Sequence, residues 1–255
     1  IVTNGSYRDI ALNRGKVLPE DVFIVRNGPN PKSFKAMPPN PALKFGKRYL
    51  IGYVGNISVQ EGLDILLDAA LCIKNLGRRD VHFTCIGGGP GLSGLLQAVE
   101  EEGLQDMVNF TGRIPDQQLL EILSTADICV NPDKPCEMNE ISTMIKIMEY
   151  MALCKPIVQF DLKEGRFSAS EASLYADKNI GAQDFASKIL LLLDDADARK
   201  RMGEFGRTRI EKVLAWEYSV QNLLSAYQRA LSKGGDQLTV MRPAQRVAKN
   251  PHEPL

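Results

Sequence analysis

Ser142, Lys146 and Glu149 stand at i, i+4 and i+7, so a helix through Ser142–Leu153 carries a hydroxyl, an ammonium and a carboxylate on one face. That trio suits a phosphate followed by a sugar ring. The Ser142-Thr143-Met144 stretch at the helix start offers hydroxyls and N–H groups to an anion, Lys146 adds a cation one turn on, and Glu149 accepts from two adjacent ribose hydroxyls. The alternative is an ordinary Lys146/Glu149 surface pair with Ser142 as a cap. Met144, Ile145, Ile147, Met148, Met151, Ala152 and Leu153 weigh against it, because a helix apolar around most of its circumference tolerates few polar positions.

Three further turns have the composition of ligand loops. Gly55-Asn56-Ile57-Ser58-Val59-Gln60-Glu61-Gly62 follows an apolar run and opens a helix, where backbone amides from Gly55 to Gln60 can meet an anion. The alternative is that Gly55 and Gly62 only permit a tight turn. Gly87-Gly88-Gly89-Pro90-Gly91 is the second, and Gly89–Gly94 also fits GxGxxG, which admits a dinucleotide (NAD(P)) reading. The next strand ends at Thr111-Gly112-Arg113 without the acidic residue that holds an NAD ribose, although Arg113 suits a 2′-phosphate, so the fingerprint is read as coincidental. The third turn is Thr111–Pro115, where a strand ends and Pro115 pre-sets the next helix, leaving backbone amides that can face a planar base. Neither histidine makes a general base: His82 falls in a strand pattern and His252 near the end of the chain.

These turns need a scaffold that gathers them. Apolar runs at Val22–Arg26, Tyr49–Val54, His82–Gly87, Val108–Thr111, Ile128–Asn131, Pro156–Phe160 and Leu174–Ala176 read as strands buried on both faces. Amphipathic segments at Gln60–Leu76, Leu92–Glu102, Asp116–Ser124, Ser142–Leu153, Ala182–Leu193, Ala196–Val213 and Trp216–Leu231 read as helices. The alternation predicts an α/β fold, a Rossmann-like doubly wound parallel sheet with helices on both faces, whose ligands lie at the carboxyl ends of the strands. One domain is expected over residues 1–232, followed by a polar tail, 233–255.

Composition narrows the function. The 255 residues hold 31 Lys+Arg against 31 Asp+Glu, which provides no basic field for nucleic acid or an anionic membrane. Five scattered cysteines make no metal-ligand spacing and fit reduced thiols in a cytoplasmic protein, so neither a metal nor a resident cofactor is expected. No apolar stretch approaches the ~20 residues of a membrane span. The first residues, Ile1–Gly5, lack an initiator Met and a secretory signal, and read as a cut into a longer protein.

In order, the chain shows Arg26-Asn27-Gly28 then Phe34, Gly55-Asn56-Ile57 then Gly62-Leu63-Asp64, Ile86–Pro90, Thr111–Pro115, Ala126-Asp127-Ile128, Lys146–Ala152 and Lys155–Val158. This ordered set resembles the C-terminal donor domain of GT-B glycosyltransferases of the retaining group 1 set, family 4, over roughly residues 2–231. The resemblance implies a domain that binds a UDP- or GDP-sugar for transfer to a hydroxyl acceptor, a glycan or lipid-linked glycan, in polysaccharide or glycolipid synthesis. By the same resemblance Glu149 holds the ribose and backbone near Arg113 and Ile114 holds the base. The Gly55–Gln60 turn, with Gly88 nearby, holds the diphosphate together with Ser142, Thr143 and Lys146; the catalytic region is that of Glu140, Lys146 and Glu149. It also implies that an N-terminal acceptor domain is missing, that the fragment alone turns over little, and that any contact with the inner membrane face runs through that domain. The last helix, from Trp216, would cross back to it and leave apolar surface exposed.

Three departures from the family pattern stand out. Asn56 and Glu61 stand where it has an Arg and Lys diphosphate clamp; the upstream member of its glutamate pair is Ile141, with Glu140 displaced by one; and Cys154 replaces the glycine that ends the Glu149 helix. The first departure raises a second class of function, a non-catalytic nucleotide-binding or interaction domain. The last predicts a left-handed Cys154, at a cost of about 1 kcal/mol.

Overall fold

The computed structural model describes residues 1–29 and 34–238. Six strands, β1 (Tyr49–Val54), β2 (Val81–Ile86), β3 (Val108–Gly112), β4 (Ile128–Asn131), β5 (Ile157–Phe160) and β6 (Ser173–Ala176), form one parallel sheet in the order β3-β2-β1-β4-β5-β6. The helices are α1 (Gly5–Asn13), α2 (Leu63–Asn75), α3 (Leu92–Glu101), α4 (Asp116–Thr125), α5 (Glu137–Ile141), α6 (Ile145–Ala152), α7 (Lys163–Ala169), α8 (Ala182–Asp194), α9 (Ala196–Arg209) and α10 (Trp216–Leu238).

The sheet is covered on both faces, as its apolar strands require. Ile51, Phe83, Val130 and Val158 pack on one side under α2, α3 and α8, and Leu50, Cys129 and Ile157 on the other under α4 and α6. The doubly wound class read from the alternation of apolar runs is the observed one.

Two elements differ from the expectation. Val22–Arg26 is not a strand of the sheet; it forms an isolated bridge with Val2, with Val2 N–H donating to Phe23 O at 2.9 Å and Val25 N–H to Val2 O at 2.8 Å, while Ser219 and Asn222 of α10 donate to the Arg26 and Ile24 carbonyls. The segment satisfies its polar groups locally and against a helix, so it needs no sheet. The final helix runs to Leu238 rather than ending at Leu231, which carries it into the expected tail; residues 239–255 of that tail, and His252 with them, lie outside the described residues. Trp216, Tyr218, Leu224, Tyr227 and Leu231 on it are 36–74 % exposed, the apolar surface expected there.

Candidate functional site

The strand order reverses between β1 and β4, and their carboxyl ends diverge after only Ile51↔Ile128 and Gly52↔Cys129 are paired. A doubly wound sheet opens its crevice at this point. The Tyr150 hydroxyl of α6 fills the split: it accepts from Val54 N–H at 2.9 Å and donates to Val130 O at 3.2 Å.

Above the crevice the glycine turns interlock. Ile57 N–H donates to Gly88 O at 3.1 Å, Gly91 N–H to Ile57 O at 2.9 Å, and Gly87 N–H to Gly112 O at 3.0 Å. A Cβ on Gly87, whose φ is +136°, would sit 1.9 Å from Gly55 O, and one on Gly89 2.3 Å from Ile57 O, so side chains are excluded by neighbouring backbone. The turns enclose a cleft of about 320 Å³ lined by Gly55, Asn56, Gly88, Arg113 and Ile114, among others. These five predicted positions therefore come together. Ile57 does not line the cleft: its side chain is fully buried and its N–H is spent on Gly88. The Gly55 N–H is likewise spent, on Ile86 O at 3.0 Å. Gln60 contributes its carbonyl, which accepts from Lys134 N–H at 2.9 Å and Asn139 Nδ2 at 3.0 Å and ties the first turn to the loop leaving β4.

The helix expected to begin at Ser142 begins at Ile145. Residues 142–144 link α5 to α6, with Ser142 extended at φ −93°, ψ 137°. The reason is long-range: Thr143 Oγ1 accepts from Asn4 Nδ2 and Arg26 Nη1, both at 3.0 Å, Asn4 also donates to Ile141 O at 2.8 Å, and Ser142 Oγ donates back to Met138 O at 2.6 Å. Arg26 is held in turn by Glu164 at 3.1 Å. Lys146 and Glu149 still share a face of α6, at i and i+3, but Ser142, Thr143 and Met144 lie on the link rather than on that face.

Glu140 is bonded to groups other than Lys146 and Glu149. Its carboxylate accepts from Lys163 N–H at 2.8 Å and pairs with Lys178 at 3.2 Å, at the start of α7. The family resemblance groups it with Lys146 and Glu149; its carboxylate is tied to Lys163 and Lys178 instead.

Lys146 crosses the strand ends to reach the far side of β1. Its ammonium donates to Glu61, to Asp133 Oδ1 at 3.0 Å and to the Tyr53 hydroxyl at 3.5 Å, and a Cβ on Gly55 would lie 3.3 Å from it. The Tyr53 hydroxyl is itself 2.9 Å from Asn56 O and 3.0 Å from Glu61 Oε2. Asp133 is 1 % exposed; burial pushes its carboxyl up to about 6, against the pull of Lys146 and reinforced by Glu61. The Lys146 charge beneath the turn is thus offset by two carboxylates. Glu149, one turn further along α6, is mostly buried, and burial raises its carboxyl above the ordinary range while Lys146 opposes the shift.

Tyr53, Asp133, Asn139 and Tyr150 were not singled out by sequence reasoning. The available signal was position: Tyr53 stands in the last two residues of β1, and Asp133 two residues beyond β4. His82 is the packed strand residue expected, stacked on Phe45 at 4.2 Å with Nε2 2.9 Å from Asn109 Oδ1, and burial lowers its pKa. Among the described residues no group of three or more His, Cys, Asp or Glu side chains is placed to hold a metal ion, and no helix is long and apolar enough to cross a membrane.

Residues 48–195, more than half of the chain, match the sequence family described as glycosyl transferases group 1. The chain is 27% identical over 198 residues to the alpha-D-kanosaminyltransferase of Streptomyces kanamyceticus, covering 75% of this chain and 44% of that protein. It is 28% identical over 192 residues to the D-inositol 3-phosphate glycosyltransferase of Thermomonospora curvata, covering 71% and 43%. The chain therefore spans less than half the length of these curated relatives. Its fold is similar to that of the sucrose-phosphate synthase of Thermosynechococcus elongatus, with a TM-score of 0.74 and 20% identity over 91% of this chain and 58% of that one. It is also similar to the Anabaena protein HepE in complex with UDP-glucose, with a TM-score of 0.72 and 15% identity over 90% and 63%.

Proposed function

Because this chain belongs to the group 1 glycosyl transferases, we propose that it binds a nucleoside diphosphate sugar of the UDP or GDP type in the crevice between β1 and β4. One observation carries the reading: the Gly55 turn, the Gly88 loop and the Arg113-Ile114 turn line one cleft where the strand order reverses, and the Lys146 ammonium of α6 lies beneath the first of them. The base lies against backbone at Arg113 and Ile114. The ribose hydroxyls donate to Glu149, and the diphosphate lies between the Gly55–Gln60 turn, the Ser142–Met144 link and Lys146. The structural similarity to HepE, solved in complex with UDP-glucose, supports a nucleotide of this class.

The sugar goes to a hydroxyl of a glycan or lipid-linked glycan, with retention of configuration, in polysaccharide or glycolipid synthesis. The acceptor is held by a further, N-terminal domain; the curated relatives are more than twice as long as the segment matched. The isolated chain binds donor without appreciable turnover. The site of action is the cytoplasm, and contact with the inner membrane face is made through the further domain.

Calorimetry of the chain against UDP-glucose, GDP-mannose and NADP tests the reading. Binding of a nucleotide sugar supports it, and tight binding of NADP with neither sugar nucleotide bound reverses it. A second reading, a non-catalytic nucleotide-binding domain, draws on the two carboxylates that offset Lys146. It predicts that the full-length protein binds a sugar nucleotide and never hydrolyses or transfers it.

A further inference from the structure

Charges beneath the Gly55 turn do not balance. Lys146 supplies one ammonium, and Glu61 and Asp133 both point a carboxylate at it. The Lys146 side chain is 9 % exposed and that of Asp133 1 %, and Asp133 Oδ2 is buried without a hydrogen-bond partner. The groups that face Asp133 are Lys146 from α6, Glu61 from the turn before α2, the Tyr53 hydroxyl from β1 and Asn131 from β4. The next residue, Lys134, does not relieve the excess, because it pairs with Asp64 of α2 at 2.5 Å; Glu149 adds a further acid on α6. The turn lies directly over this cluster, with the Gly55 Cβ direction 3.3 Å from the ammonium.

From this placement we infer that Glu61 and Asp133 are positioning residues for Lys146, and that a donor diphosphate settles on the Gly55 turn together with one proton, taken by Asp133 at its unpartnered Oδ2. The inference rests on the donor-binding reading above. A nucleotide-sugar diphosphate brings two negative charges over a cluster that is already net negative when both carboxylates are ionised. In a buried site that repulsion is poorly screened. A proton from solvent on Oδ2 removes it while leaving Oδ1 free to accept from Lys146, so the ammonium keeps its place and its charge faces the phosphates. Asp133 is poised for this uptake, since burial and the neighbouring Glu61 already hold its carboxyl high. A proton thus stands in for the cations absent at Asn56 and Glu61.

The test is calorimetry of the full chain with UDP-glucose and GDP-mannose from about pH 5.5 to about pH 8.5, in buffers of different ionisation enthalpy that count protons exchanged. The diphosphates of these ligands are esterified at both ends and do not titrate in this range, so any proton counted belongs to the protein. The expected result is uptake approaching one proton per ligand above about pH 6, with affinity falling toward tenfold for each pH unit. Asp133→Asn is expected to abolish the uptake, flatten the profile and bind more tightly than the native chain at about pH 8. Glu61→Gln, which removes the like charge, is expected to reduce the uptake and provides a second variant should Asp133→Asn not fold. Donor binding without proton uptake, or an Asp133→Asn profile with the native slope, overturns the inference and leaves the donor reading standing. Failure of both nucleotide sugars to bind at every pH overturns the donor reading and this inference with it.

Discussion

The Tyr150 hydroxyl accepts the Val54 N–H at 2.9 Å and closes the split between β1 and β4. A side chain from the helix that carries Lys146 and Glu149 therefore fixes that helix to the end of the strand that leads into the Gly55 turn.

Tyr150→Phe leaves the Val54 N–H and one lone pair of Val130 O unpartnered in the interior. The expected loss of stability is about 1–3 kcal/mol, the cost of a buried unsatisfied group. Urea unfolding measures it, and an unchanged midpoint contradicts the role given to the hydroxyl.

Cys154 has φ +57°, and the helix closes through Lys155 N–H to Tyr150 O at 2.9 Å and Cys154 N–H to Met151 O at 3.0 Å. This pair of bonds puts the left-handed position at Cys154, where glycine is unstrained. Cys154→Gly is expected to stabilise the fold by about 1 kcal/mol, seen as a higher urea midpoint. Destabilisation contradicts the strain assigned here. Gly203→Ala is expected to do the opposite, because its Cβ would lie 2.1 Å from Cys154 O.

Stability should carry the signature of Asp133. Burial and Glu61 hold its folded carboxyl at about 6, above the ordinary 3.8, so between those values the folded state binds the proton that the unfolded chain releases. Stability from this group therefore rises as pH falls through about 6 and is fully gained near its unfolded value. Other carboxylates act in the opposite sense, among them Asp80 and Asp161, which hydrogen bonds from Arg78 and Arg166 hold low. The readable quantity is the difference between native chain and Asp133→Asn: the native chain should gain relative to the variant on acidification. A constant difference from pH 7 to pH 5 contradicts the buried, elevated carboxyl.

Glu149→Ala should weaken nucleotide-sugar binding by about 1–3 kcal/mol, the scale of a hydrogen bond to a charged group, with unfolding little changed. Calorimetry and urea unfolding on the same preparation separate the two. Unaltered affinity retires Glu149 as the ribose ligand.

Strands β1 to β6 were legible because buried parallel strands read as apolar runs. Val22–Arg26 carries the same local signal but bonds to Val2 and α10, partners that no window of sequence displays. The start of α6 was misplaced for a related reason. Ser142 and Thr143 before an apolar run look like a helix cap, yet Thr143 answers to Asn4 and Arg26, more than 100 residues away. The glycine turns were legible from their positions after strands, and Cys154 from its place after the helix. The pairing of Lys146 with Glu61, Asp133 and Tyr53 was not, since it draws side chains from separate elements across the strand ends.

In the proposed function the strand-end turns and the Lys146–Glu149 face form a single nucleotide-diphosphate site. Titrating the isotopically labelled chain with UDP-glucose and GDP-mannose while following its amide resonances tests this most directly. One ligand is expected to shift Gly55, Gly88, Arg113, Ile114 and Glu149 together, with one common affinity. Shifts confined to α10 and the Ile1–Phe23 segment, with Gly55 and Glu149 unmoved at saturation, would contradict it.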